Sequence, residues 1–203
     1  MKDHNMTYDK TLEYYNKNAD AFIKGTAFVD FKETQDKFII SLSGKKILDY
    51  GCGSGRDTKY FIEAGFDVDA IDGSEELCKS ASTYTGIDVK QMLFQELDAV
   101  EQYDGIWACS SILHLPKDEL KQVFEKMVRA LCSNGVIYTS FKYGEFEGIR
   151  NGRFFTDFTI DSFKDYIADI SNIVIEDYWI TGDVRPGREE EKWLNLILRK
   201  TCF

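Results

Sequence analysis

Three glycines that alternate with small residues stand between a predicted strand and a predicted helix. Gly51, Gly53 and Gly55 follow the apolar run of residues 47–48 and precede residues 56–64, whose apolar side chains recur at helical spacing. Glycine adopts backbone angles that are closed to other residues, and its missing side chain lets a ligand approach the main chain. Such a turn between a strand and a helix is typical of nucleotide-binding crossovers.

An acidic residue completes this unit at the end of the next predicted strand, residues 67–71. The carboxylate of Asp72 can accept hydrogen bonds from two vicinal ribose hydroxyls. A dinucleotide fingerprint, G-x-G-x-x-G, would have its third glycine at Arg56, whereas here that glycine comes one place earlier, at Gly55. The wider turn favours a ligand with one nucleoside and no phosphates. The alternative is an ordinary strand-to-helix turn that uses glycine for packing.

The stretch from Asp49 to Gly55 resembles the first motif, D/E-x-G-x-G-x-G, of the class I S-adenosylmethionine-dependent methyltransferases, and Asp72 falls where that family keeps its ribose acid. The resemblance implies S-adenosyl-L-methionine as cofactor. It also implies an α/β fold with a doubly wound, mostly parallel, seven-stranded Rossmann-like sheet whose last strand is antiparallel. Predicted strands 172–180 and 192–199, with no helix between them, must indeed pair antiparallel. Within the superfamily the chain looks most like small stand-alone enzymes grouped with the tellurite-resistance methyltransferases, a grouping that does not establish a chalcogen substrate.

The same resemblance implies where the cofactor would be bound. The implied contacts come from the first motif, the ends of the second, third and fourth strands and the N-terminal segment: Tyr15, Asp49, Gly51, Gly53, Arg56, Asp72, Gly73, Leu93, Phe94 and Ser110. Leu93 or Phe94 would meet the adenine amine through the main chain, because this chain lacks the acid that many members have there. Arg56 would meet the methionine carboxylate or simply pair with Asp57.

The length predicts a single domain, and the resemblance implies that it is a methyltransferase domain over residues 1–203. Residues 7–24 and 30–42 have helical apolar stripes and precede the first strand. Such segments often fold over the cofactor in the resembled family, so residues 1–44 are predicted to form a helical lid; the alternative is that they only pack on the sheet. Residues 142–159 are glycine-rich and aromatic without a clear period, and they are a candidate substrate cap because they follow the fifth predicted strand.

A histidine lies just beyond the fourth predicted strand, residues 105–109. Residues 110–115 resemble the S-x-L-x-H-L stretch of small-molecule methyltransferases and should lie at the carboxyl ends of the strands, where ligands of open α/β sheets gather. His114 is the candidate general base for an acceptor that keeps a proton; the alternative is a structural histidine. A soft anion of sulfur, selenium or tellurium would need no base. Tyr143 and Arg150 are candidate substrate contacts.

The composition is that of an acidic globular protein, with a formal net charge of −10 over 203 residues. Phosphate backbones repel such a chain, so we expect no nucleic-acid partner. The five cysteines are scattered without a C-x-x-C pair, which predicts reduced thiols in the cytoplasm and no metal site. The polar N-terminus is unlike a signal peptide and no apolar run reaches membrane-spanning length, so we expect no membrane partner. Nothing in the pattern indicates an oligomeric state.

These observations favour a methyltransferase that acts on a small-molecule acceptor. The N-P-P-Y tetrapeptide of amino-methylating nucleic-acid enzymes does not follow the fourth strand. A methyltransferase acting on protein or RNA is one alternative, which a basic surface from four arginines would favour: Arg150, Arg153, Arg185 and Arg188. A non-catalytic S-adenosylmethionine-binding module is another. An NAD(P)-dependent oxidoreductase is disfavoured by Arg56 at the third glycine position and by the antiparallel closing pair.

Overall fold

A computed structural model describes residues 2–185, 187–188 and 190–201, with residues 2–9 described as backbone. The helices are α1 (Lys2–Lys17), α2 (Ala19–Thr26), α3 (Lys32–Ser41), α4 (Arg56–Glu63), α5 (Glu75–Thr85), α6 (Lys117–Ala130) and α7 (Ile160–Ile167). The strands are β1 (Lys46–Tyr50), β2 (Asp67–Asp72), β3 (Lys90–Gln91), β4 (Tyr103–Ala108), β5 (Leu131–Lys142), β6 (Glu147–Arg150), β7 (Arg153–Thr156), β8 (Ile173–Gly182) and β9 (Lys192–Lys200). None of the described helices is both long and apolar enough to cross a lipid bilayer.

One sheet of seven strands organises the chain, in the order β3-β2-β1-β4-β5-β9-β8. The pairs among β1 to β5 are parallel, and β9 runs antiparallel to both β5 and β8. This confirms the predicted fold class, including the antiparallel last strand. The strand order reverses between β1 and β4, so their carboxyl ends border the crevice in which ligands of open α/β sheets bind.

Successive side chains of each strand point to opposite faces of the sheet and pack into two separate hydrophobic cores. Ile106 packs on one face in a cluster that includes α6 and α7, and the next residue, Trp107, packs on the other face beside α3 and α4. The indole of Trp107 stacks on the ring of Tyr138 at 4.0 Å between centroids. Helices therefore cover both faces, and the ligand crevice is left at the edge formed by the strand ends.

The N-terminal helical region and the third strand differ from their predicted extents. The predicted helix over residues 7–24 is interrupted at Asn18, where the side-chain amide donates to the carbonyl of Tyr14 at 2.8 Å. Asparagine offers the backbone such local alternatives to the regular helical pattern. The sequence predicts the third strand over residues 89–94, but the chain pairs only over β3 and then turns into a short 3-10 helix at Phe94–Glu96.

Residues 142–159 are more regular than the sequence reasoning anticipated. They contain a β-hairpin of β6 and β7, in which Arg150 pairs with Arg153 across a two-residue turn. The turn residues Asn151 and Gly152 have φ values of 52° and 77°. Positive φ at both positions is the type I′ turn, for which Asn-Gly is the preferred sequence. The hairpin projects from the end of β5 towards α1.

Candidate functional site

A cavity of about 550 Å³ opens at the carboxyl ends of the parallel strands. The glycine turn after β1, Asp72 at the end of β2 and the loop after β4 form one side of it, and α1, α2 and the β6–β7 hairpin lie across it. Ligand-binding cavities of small-molecule enzymes have volumes of about 300–1,000 Å³. The predicted crevice is therefore a defined site with walls from both ends of the chain.

The glycine turn is held against β2 by its own backbone. The amides of Gly51 and Cys52 each donate to the carbonyl of Ile71 at 2.9 Å. Gly51 has φ of +89°, and a Cβ there would lie 2.5 Å from the Cβ of Ser111, so no other residue fits without movement of the loop after β4. A Cβ at Gly53 would lie 2.9 Å from the ring of Phe22 in α2. The turn thus leaves bare main chain facing the cavity.

Asp72 stands beside this turn with both carboxylate oxygens engaged by backbone. One oxygen accepts from the amide of Gly53 at 2.9 Å and the other from the amide of Ser74 at 2.8 Å. Each oxygen keeps a further lone pair for a ligand hydroxyl. Burial raises the pKa of Asp72 above its usual value. Gly73 also lines the cavity, so this corner has the groups that a ribose requires.

Two residues of the predicted set do not line the cavity: Asp49 and Leu93. Asp49 is buried, and its carboxylate accepts from the hydroxyl of Thr58 in α4 at 2.5 Å. Burial and the charge of Asp57 raise the pKa of Asp49. Phe94 does line the cavity, but its carbonyl, proposed from the sequence for the adenine amine, accepts from the hydroxyl of Tyr50 at 2.5 Å.

Arg56 lines the cavity and also makes the pair that the sequence offered as its alternative role. Its Nε and Nη2 atoms donate to the two carboxylate oxygens of Asp57 at 2.8 and 2.9 Å. Asp57 is buried and further accepts from Gln35 at 2.6 Å and from the indole of Trp107 at 2.8 Å. The guanidinium lies 4.6 Å from the ring of Phe31. Arg56 is therefore a positioned cation in the cavity wall.

Tyr15, His114 and Arg153 form a hydrogen-bonded chain in the wall of the cavity. His114 Nδ1 lies 2.6 Å from the carbonyl of Phe154, and because a carbonyl only accepts, Nδ1 carries the proton. Nε2 is then an acceptor and takes the hydroxyl hydrogen of Tyr15 at 2.8 Å. The same hydroxyl oxygen accepts from Nη1 of Arg153 at 3.3 Å. Sequence reasoning found Tyr15 and His114 but assigned Arg153 only to a possible basic surface.

Helix α1 is tied to both sides of the cavity. The hydroxyl of Thr11 accepts from the amide of Phe154 in the hairpin at 3.1 Å. The hydroxyl of Ser74 donates to the side-chain carbonyl of Asn16 at 2.6 Å, next to Asp72. Tyr15 lies between these two contacts. One helix thus connects the corner of the cavity at Asp72 with the hairpin.

The remaining predicted site residues also line the cavity. Ser110 has φ of +52° at the end of β4, and its amide donates to the hydroxyl of Ser140 at 2.9 Å. Tyr143 is 39% exposed at the rim. Arg150 forms a two-pronged pair with Asp157, with Nη2 at 2.9 Å and Nη1 at 3.2 Å.

We expect His114 to make the stability of the fold depend on pH. Burial, aided by the charge of Arg153, lowers the pKa of His114 from 6.5 to about 4. Because the folded pKa lies below the unfolded one, the contribution is fully present above about pH 6.5 and is lost as the pH falls through about 4. The loss is on the order of 3 kcal/mol.

Urea unfolding near neutral pH and in mild acid, for the wild type and for His114→Gln, measures this contribution. The wild type should lose more unfolding free energy than the variant as the pH falls. Buried carboxylates such as Asp49 are present in both proteins, so their contributions cancel in the comparison. Equal losses in the two proteins would contradict the assignment of a buried neutral histidine.

Comparison with known proteins identifies the domain. Residues 47–135 match the family model of a methyltransferase domain. An uncharacterized methyltransferase of Staphylococcus carnosus is 22% identical over 179 residues, which cover 84% of this chain and 86% of that protein. A ubiquinone biosynthesis O-methyltransferase of Rickettsia akari is 31% identical over 104 residues, which cover 49% of this chain and 41% of that enzyme. The chain therefore spans less than half the length of the second relative.

A solved structure shows the same fold over the whole chain. The 1,6-didemethyltoxoflavin-N1-methyltransferase of Burkholderia thailandensis, with bound 1,6-didemethyltoxoflavin and S-adenosylhomocysteine, matches with a TM-score of 0.79 at 19% identity, covering 100% of this chain and 92% of that one. At this identity the likeness shows the fold. The sheet order and the glycine turn agree with the match of residues 47–135, and this part of the chain is therefore a methyltransferase domain with the class I fold.

Proposed function

We propose that the protein transfers a methyl group from S-adenosylmethionine to a small-molecule acceptor bound in the cavity. The observation that supports this most strongly is that one cavity joins a ribose corner at Asp72 to the polar chain of Tyr15, His114 and Arg153. Helices α1 and α2 would act as its lid and the β6–β7 hairpin as its acceptor-side cap. The protein would work in the cytoplasm, since Cys52, Cys78, Cys109 and Cys132 are free; Cys202 lies outside the described residues.

The residues of the cavity fit this cofactor. Asp72 would accept from both ribose hydroxyls, and the bare main chain at Gly51 and Gly53 lets the ligand approach. The ring of Phe94 would lie against the adenine, and Arg56 would bind the methionine carboxylate. S-adenosylmethionine supplies a methyl group on a positively charged sulfur. The chain's own task is to align the acceptor with that methyl and to exclude water, and such positioning supplies roughly 7–11 kcal/mol in favourable cases.

The Tyr15–His114 pair would receive the proton of an N–H or O–H acceptor. Held by Asp72, Arg56 and the glycine turn, S-adenosylmethionine would supply the methyl group to the acceptor's lone pair, and its sulfur would keep the electron pair of the carbon–sulfur bond. The acceptor proton passes to the oxygen of Tyr15 as the tyrosine proton moves to Nε2 of His114, which becomes imidazolium. The carbonyl of Phe154 stabilises that cation through Nδ1. General acid–base assistance of this kind contributes about 10²–10⁴-fold.

The surroundings of the cavity support a small acceptor over a protein or RNA. Three of the four arginines that could have formed a basic surface are paired with carboxylates: Arg150 with Asp157, Arg185 with Asp183, and Arg188 with Glu191. A neutralised rim offers little attraction to a phosphate backbone. The helices that lie across the cavity also leave less room for a macromolecular segment.

A partition experiment tests the proposal. An extract of cells that carry the gene is separated by ultrafiltration into small molecules and macromolecules, and each fraction is incubated with the protein and S-adenosylmethionine labelled with tritium in the methyl group. Labelled product should appear in the small-molecule fraction and be absent with Asp72→Ala. Label in the protein or RNA fraction would contradict the proposed acceptor class. Bound S-adenosylhomocysteine without transfer in either fraction would favour a binding module.

A further inference from the structure

Arg153 differs from the other arginines around the cavity in its electrostatic partners. Arg56, Arg150, Arg185 and Arg188 each pair with a carboxylate. For Arg153, no carboxylate among the described residues lies within ion-pair distance. The guanidinium is partly buried and lines the cavity. A positive charge that is partly removed from water and lacks a counter-ion favours an anion in the adjoining space.

The contacts of Arg153 leave much of its hydrogen-bonding capacity unused. The guanidinium packs against the ring faces of Tyr14 at 4.6 Å and Phe155 at 5.1 Å. Its Nη1 atom donates to the hydroxyl of Tyr15, whereas the buried Nε has no hydrogen-bond partner in the part of the chain that the structure describes. Stacking between rings fixes the plane of the fork, and a guanidinium fork matches the geometry of a carboxylate. The aromatic contacts therefore orient the guanidinium N–H groups of Arg153 so that they can donate hydrogen bonds to a planar oxyanion.

Arg153 and Arg56, the arginine proposed to bind the methionine carboxylate of the cofactor, lie on different elements of the cavity wall. Arg56 follows the glycine turn at the start of α4, whereas Arg153 begins β7 in the hairpin and contacts Tyr15. Its charge contributes to lowering the pKa of His114, which places it beside the proton-accepting group. An anion held by Arg153 would therefore lie on the acceptor side of the cavity.

We propose that the methyl acceptor is a small anion that presents a carboxylate, or an equivalent planar oxyanion, to Arg153. This inference rests on the proposed function. The anionic group is a handle that orients the acceptor, because an oxyanion bound by a guanidinium is a poor nucleophile. The nucleophilic atom lies at the other end of the acceptor, towards Tyr15 and His114. In a chain with a net charge of −10, an arginine without a counter-ion offsets the general repulsion of anions.

Binding of benzoate and of its neutral isostere benzamide tests the inference directly. The protein is labelled with ¹⁵N-arginine and saturated with S-adenosylhomocysteine, and the Nε–H resonance of Arg153 is assigned by its loss in Arg153→Lys. Benzoate should shift this resonance, should bind more tightly than benzamide, and should bind at least tenfold more weakly to Arg153→Gln. Lys192→Gln is the matched control, since it removes one positive charge from an exposed position that also lines the cavity, and it should leave benzoate affinity nearly unchanged.

The outcomes separate this inference from the proposed function. Equal affinity for benzoate and benzamide, or equal losses of benzoate affinity in Arg153→Gln and Lys192→Gln, would contradict the binding of an anionic group by Arg153. A loss of S-adenosylhomocysteine affinity in Arg153→Gln that matches its loss of benzoate affinity would reassign Arg153 to the cofactor carboxylate and would also overturn the inference. Failure of the wild type to bind S-adenosylhomocysteine would instead contradict the proposed function. Thermal unfolding of each variant confirms that the fold is retained.

Discussion

Replacing Asp72 with alanine should weaken the binding of S-adenosylhomocysteine by about 100-fold or more. The carboxylate would accept two hydrogen bonds from the ribose, and bonds to charged groups contribute about 1.5–3 kcal/mol each. Since about 1.4 kcal/mol corresponds to a tenfold change in affinity, two such bonds correspond to a factor of about 100 or more. The substitution also releases the amides of Gly53 and Ser74, which the carboxylate now holds.

Isothermal titration calorimetry of three variants measures this effect. Asp67→Ala removes a carboxylate from the other end of β2, where the side chain is 71% exposed, and should bind like the wild type. Asp72→Asn keeps the shape of the side chain and should show an intermediate loss. If Asp72→Ala binds the ligand as tightly as Asp67→Ala, Asp72 is not the ribose acid.

Replacing Asp57 with alanine should lower the free energy of unfolding by about 3–5 kcal/mol. Breaking a buried ion pair by removing one partner costs this much, because the other charge stays buried without compensation. Here the charge left without a counter-ion is that of Arg56, whose side chain is 17% exposed. Gln35 and Trp107 lose their acceptor at the same time. The effect should appear in urea unfolding without any ligand.

Two further variants show whether the charge left without a counter-ion is the cause. Glu13→Ala breaks an ion pair with Lys17 in which both side chains are at least 60% exposed, so it should change stability little. Arg56→Met in the Asp57→Ala background removes the uncompensated charge and should recover part of the loss. A double variant less stable than Asp57→Ala would contradict the buried-pair explanation.

The glycine turn and its acid could be predicted because their signals are local. The strand, the turn, the helix and Asp72 at the end of β2 all fall between residues 46 and 72, where spacing and residue type carry the information. The hairpin was also predictable in principle, since Asn151-Gly152 is a strong local signal for a type I′ turn. It was missed because the flanking segments mix aromatic and charged residues and do not show the regular alternation of apolar and polar residues that predicts a strand.

Other features of the site arise only from tertiary packing. Tyr15 and Arg153 are separated by 138 positions in the sequence, and their contact depends on how α1 crosses the hairpin. Asp49 was expected at the cofactor from its place in the motif, but its side chain points to Thr58 in α4. Successive side chains of a strand point to opposite faces, so a motif position does not by itself show which groups reach a ligand.

The double attachment of α1 has a kinetic consequence. The helix contacts Ser74 near the ribose corner through Asn16, and it contacts the amide of Phe154 in the hairpin through Thr11. Withdrawing it would disrupt both contacts and also the bond of Tyr15 to His114. If α1 acts as the proposed lid, access to both parts of the cavity would depend on one opening event, and loop or helix openings of this kind occur on the microsecond-to-millisecond timescale. The rate at which product leaves, as well as the rate of methyl transfer, would then limit turnover.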